Sequence, residues 1–210
     1  MTVKILQALT KKSRILLPKN ISPKHYNLSL TPNMTDFTFL GSVKIDLDVK
    51  EESDSIVFHA QDLDFKSILL RQKGLEKKID VGKVSIDKKK TTAKIPVRVE
   101  KGVAKLDIKY SGEINDQMKG FYRSNYVKDG KTNFVGCTQF EAIDARRALP
   151  CWDEPSHKST FELSIKVDKK YTVLSNTELV SETEGEDGLK ESCFAVTPKM
   201  STYLLAWFIG

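Results

Sequence analysis

Val43-Lys44-Ile45-Asp46-Leu47-Asp48-Val49-Lys50 decides the fold class. Apolar and charged residues alternate with a period of two, so successive side chains belong to opposite faces of an extended strand, one in a core and one in water. The same alternation recurs in Tyr26-Asn27-Leu28-Ser29-Leu30, over residues 95–99, in Leu106-Asp107-Ile108-Lys109-Tyr110 and in Phe161-Glu162-Leu163-Ser164-Ile165-Lys166-Val167. Continuous β-rich runs occupy residues 55–58 and 202–209. Between the strands lie turn signals: Pro32-Asn33, Ser111-Gly112, Asp129-Gly130 and Glu186-Asp187-Gly188. Between residues 20 and 210 no long segment keeps a helical period, and the best helical candidate is residues 7–16. Many short strands with frequent turns predict an all-β fold, an antiparallel β-sandwich or a curved pair of sheets.

The 210 residues are 40% hydrophobic and 30% charged, which allows one large or two small domains with a real core. The most apolar run, Tyr203-Leu204-Leu205-Ala206-Trp207-Phe208-Ile209, falls far short of the roughly 20 residues that cross a bilayer, so no membrane span is expected. It reads as a buried strand that runs up to Gly210, and predicts a longer protein. The net charge of +6 comes from scattered lysines. Neither Lys77-Lys78 nor Lys88-Lys89-Lys90 has the interleaved aromatic or arginine side chains that contact bases. Lys88 to Lys90 follow Asp87 between two strand-like segments and read as a solvated hairpin tip, and no nucleic-acid partner is expected.

Three cysteines, Cys137, Cys151 and Cys193, are odd in number, widely spaced and without a CxxC pair. That argues against a disulfide framework and a cysteine zinc site, and fits a reducing, cytoplasmic compartment. Residues 1–17 form a basic extension that lacks the apolar core of a secretory signal. It contains no acid; Asp36 is the first acidic residue of the chain. A disordered extension is the simplest reading, and a mitochondrial presequence is the alternative its composition admits. The sandwich then occupies residues 18–210.

Catalytic machinery is not legible. His25, His59 and His157 are far apart in sequence, none lies on a predicted helix, and there is no HExxH pair of the kind that holds zinc. Each reads as a strand or loop residue making local hydrogen bonds. There is no nucleophile elbow and no glycine-rich phosphate loop. A dense polar segment remains from Gly120 to Pro155. Within it Gln139 and Glu141 are two apart, so on a strand both belong to one face. A carboxylate and an amide oxygen are acceptors suited to a cationic amine. The spacing alone equally describes plain strand surface.

Read as a string, Gln139-Phe140-Glu141-Ala142 followed by Asp144-Ala145-Arg146-Arg147-Ala148-Leu149-Pro150-Cys151-Trp152-Asp153-Glu154-Pro155 resembles the N-terminal signature of the aminopeptidase N family of zinc metallopeptidases. The resemblance runs through nearly the whole chain after the extension. Leu17-Pro18-Lys19-Asn20-Ile21-Ser22-Pro23-Lys24-His25-Tyr26 is similar to the family's opening strand, and Phe39-Leu40-Gly41-Ser42-Val43-Lys44-Ile45 to its second. Ile56-Val57-Phe58-His59-Ala60 also matches. The segments from Tyr110 to Arg123 and from Thr197 to Leu204 resemble the cytosolic fungal, alanine/arginine and puromycin-sensitive branch.

The resemblance implies a saddle-shaped β-sandwich packed on a separate catalytic domain that holds the zinc. It implies that Glu141 binds the free α-ammonium of a peptide N-terminus and that Gln139 lines the same pocket. Glu141 is then a specificity residue rather than the general base. Asp153-Glu154-Pro155 and Arg146-Arg147 read as structural, and Cys151 and Trp152 as core. The family's G-A-M-E-N segment, HExxH helix, third zinc ligand and oxyanion-stabilising tyrosine have no counterpart in these 210 residues. The partner is therefore the chain's own missing catalytic domain. This chain is expected to carry no cofactor and to be inactive alone, with zinc belonging to the full-length enzyme. A freestanding, non-catalytic binding module is the competing reading.

Overall fold

The computed structural model describes residues 16–210. Its three long strands, β1 (Ile21–Asn33), β2 (Thr38–Val49) and β8 (Gly102–Glu113), are the centre of an eight-stranded sheet. On one side the sheet continues through β4 (Asp64–Gln72) and β5 (Leu75–Ile79). On the other it continues through β11 (Thr160–Asp168), β14 (Leu189–Phe194) and β13 (Leu179–Glu184). A four-stranded sheet follows the order β12 (Val173–Ser175), β15 (Trp207–Ile209), β10 (Lys131–Gln139) and β9 (Gly120–Lys128). A three-stranded sheet follows β3 (Ile56–His59), β7 (Thr92–Ile95) and β6 (Ser85–Asp87). The chain is an all-β sandwich, as its alternation predicts.

Val43, Ile45, Leu47 and Val49 are all buried, while the charged residues between them face outward on β2. From the smaller sheets, Phe121, Trp207 and Phe58 meet this inner face. Phe39 lies 5.4 Å from Phe121, and Phe121 lies 5.4 Å from Trp207, ring centre to ring centre. Each such buried aromatic or aliphatic side chain contributes about 1.5–3 kcal/mol. The outer face of the large sheet is a chequerboard of opposite charges. Lys24 pairs with Asp48 at 3.0 Å, Lys105 with Asp46 at 3.2 Å, and Arg71 with both Asp107 and Glu76. It has the composition of a solvated face.

Several features differ from the sequence reading. Pro32-Asn33 lie within β1, opposite Phe39 and Thr38, and the turn follows them. Of residues 95–99 only Ile95 belongs to a strand, the end of β7, and Val99 makes an isolated bridge to Ser53. Ser111-Gly112 is not a turn; both residues lie inside β8, opposite Leu40 and Phe39. The glycine is needed for packing, because a Cβ there would stand 2.5 Å from the Phe39 ring. Residues 202–209 are not one strand: Thr202–Leu204 form a 3-10 turn before β15. Side-chain bonds pin that turn, Thr202 Oγ1 donating to the Trp152 carbonyl at 3.1 Å and Ser201 Oγ to the Pro155 carbonyl at 2.9 Å. Finally, β1 and β11 pair in parallel, Tyr26 opposite Phe161, within an otherwise antiparallel sandwich. Residues 34–159 lie between the two strands and supply the long crossover that parallel pairing requires. The helical candidate at residues 7–16 falls, except for Leu16, outside the described residues. Lys88 to Lys90 do form an exposed tip between β6 and β7, where Asp87 accepts the Lys89 and Lys90 N–H groups at 3.0 Å each.

Candidate functional site

β10 delivers Gln139 to the end of the four-stranded sheet, opposite Gly120 of β9. The strand stops there, but the alternation continues one step further. Gln139 is exposed, Phe140 is buried with its ring 5.4 Å from that of Trp207, and Glu141 is exposed again. Both predicted residues are therefore exposed, one on each side of the buried Phe140. Gln139 Nε2 donates to the Glu141 carbonyl at 3.3 Å. The Asp144 N–H donates to the Phe140 carbonyl at 2.9 Å and closes the turn that carries Glu141, Ala142 and Ile143 outward. Among the described residues, neither ion pair nor hydrogen bond engages the Glu141 carboxylate, which leaves it available to an external cation.

Behind this turn the chain is anchored heavily. Asp144 accepts from Arg147 Nε at 2.9 Å, and Arg147 also pairs with Asp62. Arg146 and Asp153 form a buried pair: Nε donates to Asp153 Oδ2 at 2.9 Å, Nη2 donates to the Asp153 carbonyl at 3.1 Å, and Nη1 donates to Thr91 Oγ1. The Asp153 N–H donates to His59 Nδ1 at 3.1 Å, and His59 and Cys151 exchange backbone bonds of 2.8 and 3.1 Å. Tyr26 Oη accepts the Trp152 N–H at 3.1 Å, and Tyr110 Oη donates to the Ala148 carbonyl at 3.0 Å. Cys151 and Trp152 are fully buried, and Glu154 accepts the Leu17 N–H at 2.6 Å. The loop is thus fastened to both the eight-stranded and the three-stranded sheets. Asp62, Thr91 and His59 are the anchors that sequence reasoning missed, because each comes from a distant strand or turn.

The histidines are individually engaged. His25 Nδ1 lies 2.8 Å from Thr160 Oγ1, and His157 Nε2 lies 3.8 Å from Glu154. No group of three or more His, Cys, Asp or Glu among the described residues is placed to hold a metal ion. The described residues do not fit a zinc site.

Burial, reinforced by Arg146 and His157, holds His59 at about 3. An unfolded-chain histidine titrates near about 6.5. Between these values the unfolded chain binds the extra proton, so the stability His59 gives is full above about 6.5 and is lost as pH falls toward 3. His157, lowered mainly by burial, acts in the same direction. Burial raises the Asp153 carboxyl against the pull of Arg146, which gives the opposite sign at the acid end. His59→Asn keeps an acceptor for the Asp153 N–H and removes the titration. Urea unfolding at a series of pH values should show the slope of stability against pH between about 6 and 4 fall by roughly 1 kcal/mol per unit. An unchanged slope would show that His59 titrates normally in the folded chain.

These features define an all-β sandwich domain whose most heavily anchored loop follows a carboxylate and an amide displayed at one sheet end. The profile of the peptidase M1 N-terminal domain matches residues 22–204, and the chain belongs to the M1 peptidase family as that domain. It is 39% identical over 205 residues to aminopeptidase 2 of Candida albicans, covering 97% of this chain and 22% of that protein. It is 41% identical over 202 residues to the puromycin-sensitive aminopeptidase of Caenorhabditis elegans, covering 92% and 21%. With the alanine/arginine aminopeptidase of Saccharomyces cerevisiae the identity is 42% over 204 residues, covering 94% and 23%. The chain spans about a fifth of the length of these relatives.

Proposed function

We propose that this chain is the substrate-amine-recognising domain of a zinc metalloaminopeptidase that removes N-terminal residues from peptides. The observation that supports the reading is the pairing of Gln139 with Glu141, both exposed at a rigidly anchored turn with the carboxylate unengaged. Glu141 accepts the peptide's α-ammonium in charge-assisted hydrogen bonds, and Gln139 adds a neutral acceptor beside it. Such a contact tells a chain end from a chain interior and places the first peptide bond at a fixed distance from the grip. In this domain alone the carboxylate is exposed, and an exposed ion pair is worth only about 0–1 kcal/mol. Discrimination therefore requires that the rest of the enzyme, which would also supply the zinc that activates water, cover the site. The unpaired cysteines fit a reducing compartment, and the cytoplasm is the proposed location.

Two measurements test this. The 210-residue chain, supplied with zinc, should give no turnover of an aminoacyl fluorogenic substrate above background. The full-length protein should cleave that substrate and leave its Nα-acetylated counterpart intact. Turnover by the short chain would place chemistry within it and favour a different function. Equal cleavage of the two substrates would remove the basis for an amine grip.

A further inference from the structure

Two neighbouring arginines follow the turn that carries Glu141, and they answer to different partners. Arg146 is buried against Asp153, whereas Arg147 reaches back to the turn itself. Every guanidinium nitrogen of Arg147 is engaged. Nε donates to Asp144 Oδ1 at 2.9 Å, and Nη1 pairs with Asp62. The Gln61 amide, oriented with its oxygen toward the guanidinium, accepts from Nη2 at 2.7 Å. Asp144 is held in turn at three points. Its N–H donates to the Phe140 carbonyl at 2.9 Å, its carboxylate accepts from Arg147 Nε, and its carbonyl accepts the Arg147 N–H at 3.1 Å. These partners do not count equally. The Asp62 side chain is 68% exposed and its pair with Arg147 is screened by water, while that of Asp144 is 16% exposed, so the bond to Asp144 contributes more.

Gly120 joins this cluster to the strand end. It stands opposite Gln139 in the pairing of β9 with β10, and a Cβ there would lie 2.7 Å from Arg147 Cβ and 3.2 Å from the Asp144 carbonyl oxygen. Its φ of +67° is itself a conformation that favours glycine. The span from Gln139 to Asp144 therefore has both ends at Gly120, the near end through strand pairing and the far end through the Arg147 stem. Between them Glu141, Ala142 and Ile143 are all exposed, so none of the three holds the span by its own burial. We infer that Arg147, seated on Gly120, is a positioning residue: it fixes the far end of the turn and so sets where the Glu141 carboxylate stands. The inference rests on the proposed amine grip, and Arg147 itself touches no substrate. Placement matters because a charge-assisted hydrogen bond forms over a narrow range, about 2.7–2.9 Å, and a misplacement of about 1 Å can cost on the order of 10²-fold in rate.

In the full-length protein, Arg147→Ala should raise KM for a free-amine aminoacyl substrate by about ten-fold and change kcat by less than about two-fold. A merely smaller folded fraction would do the reverse, lowering kcat and leaving KM alone. Gly120→Ala, which displaces the Arg147 stem, should act in the same direction. Arg147→Lys keeps a donor for Asp144 and should recover part of the loss. In a Glu141→Ala background Arg147→Ala should cost less than about two-fold further, since no carboxylate is left to place. The same ten-fold cost in both backgrounds would overturn the inference and leave the grip standing. Wild-type KM in Glu141→Ala would remove the grip, and the inference with it. Amide exchange followed by NMR in the 210-residue chain reads the turn without any substrate. The Asp144 N–H should exchange at least about ten-fold faster in Arg147→Ala, while the Cys151 N–H, bonded to the His59 carbonyl, keeps its rate. Unchanged protection at Asp144 would overturn the inference whatever the kinetics, and lost protection at Cys151 as well would make Arg147 a residue of general stability instead.

Discussion

Glu141→Ala in the full-length protein is expected to lower kcat/KM for free-amine substrates by about 10²- to 10³-fold while zinc content stays at the wild-type level. Removing one partner of a desolvated, hydrogen-bonded charge pair costs about 2–5 kcal/mol, and each 1.36 kcal/mol is about a factor of ten in rate. The domain itself should not notice the change. Glu141 is exposed and its carboxylate has no partner among the described residues, so thermal stability should move by less than about 0.5 kcal/mol. Glu141→Gln separates charge from shape. It keeps the length of the side chain and one acceptor, and should lose nearly as much activity as the alanine variant if the ammonium is held by charge. Gln139→Ala removes a neutral acceptor and the long Nε2 bond to the Glu141 carbonyl, and should cost about 1 kcal/mol, a few-fold effect. Zinc loss in the Glu141 variants would place the residue in the metal's surroundings instead, and full activity in Glu141→Gln would dispose of the charge argument.

How much of this was legible in the sequence depends on how local each cause is. The strand from Thr38 to Val49 announces itself because its burial alternates residue by residue, and no partner need be known to see it. Ser111-Gly112 misleads for the opposite reason: the glycine answers to the Phe39 ring, which belongs to a strand far away in sequence. The parallel pairing of β1 with β11 is likewise set by the tertiary crossover and leaves no local trace. At the site, the period of two would put Gln139 and Glu141 on one side of a strand; the strand ends at Gln139, and both residues are exposed with Phe140 buried between. It was the resemblance, however, that gave the pair a meaning. The anchors Asp62, Thr91 and His59 come from separate turns and strands, and only the tertiary fold brings them to the loop.

Asp153→Ala in the 210-residue chain is expected to cost about 3–5 kcal/mol, because it leaves the Arg146 guanidinium buried without its counter-charge. In a chain of this size that corresponds to a fall in Tm on the order of 10 °C. Arg146→Met should cost a similar amount by stranding the Asp153 carboxylate, which is 4% exposed as a residue and already raised by burial. Replacing both, Arg146→Met with Asp153→Leu, should be milder than either alone, since a buried pair exchanged for apolar side chains of similar volume is often neutral. Recovery should stop short of complete. Arg146 also satisfies the Asp153 carbonyl and Thr91 Oγ1, and a buried acceptor left empty costs about 1–3 kcal/mol. Urea unfolding of the four proteins gives the coupling energy directly. A coupling below about 0.5 kcal/mol would mean that the two side chains act independently, and the loop would then owe its position to Trp152 and its neighbours in the core.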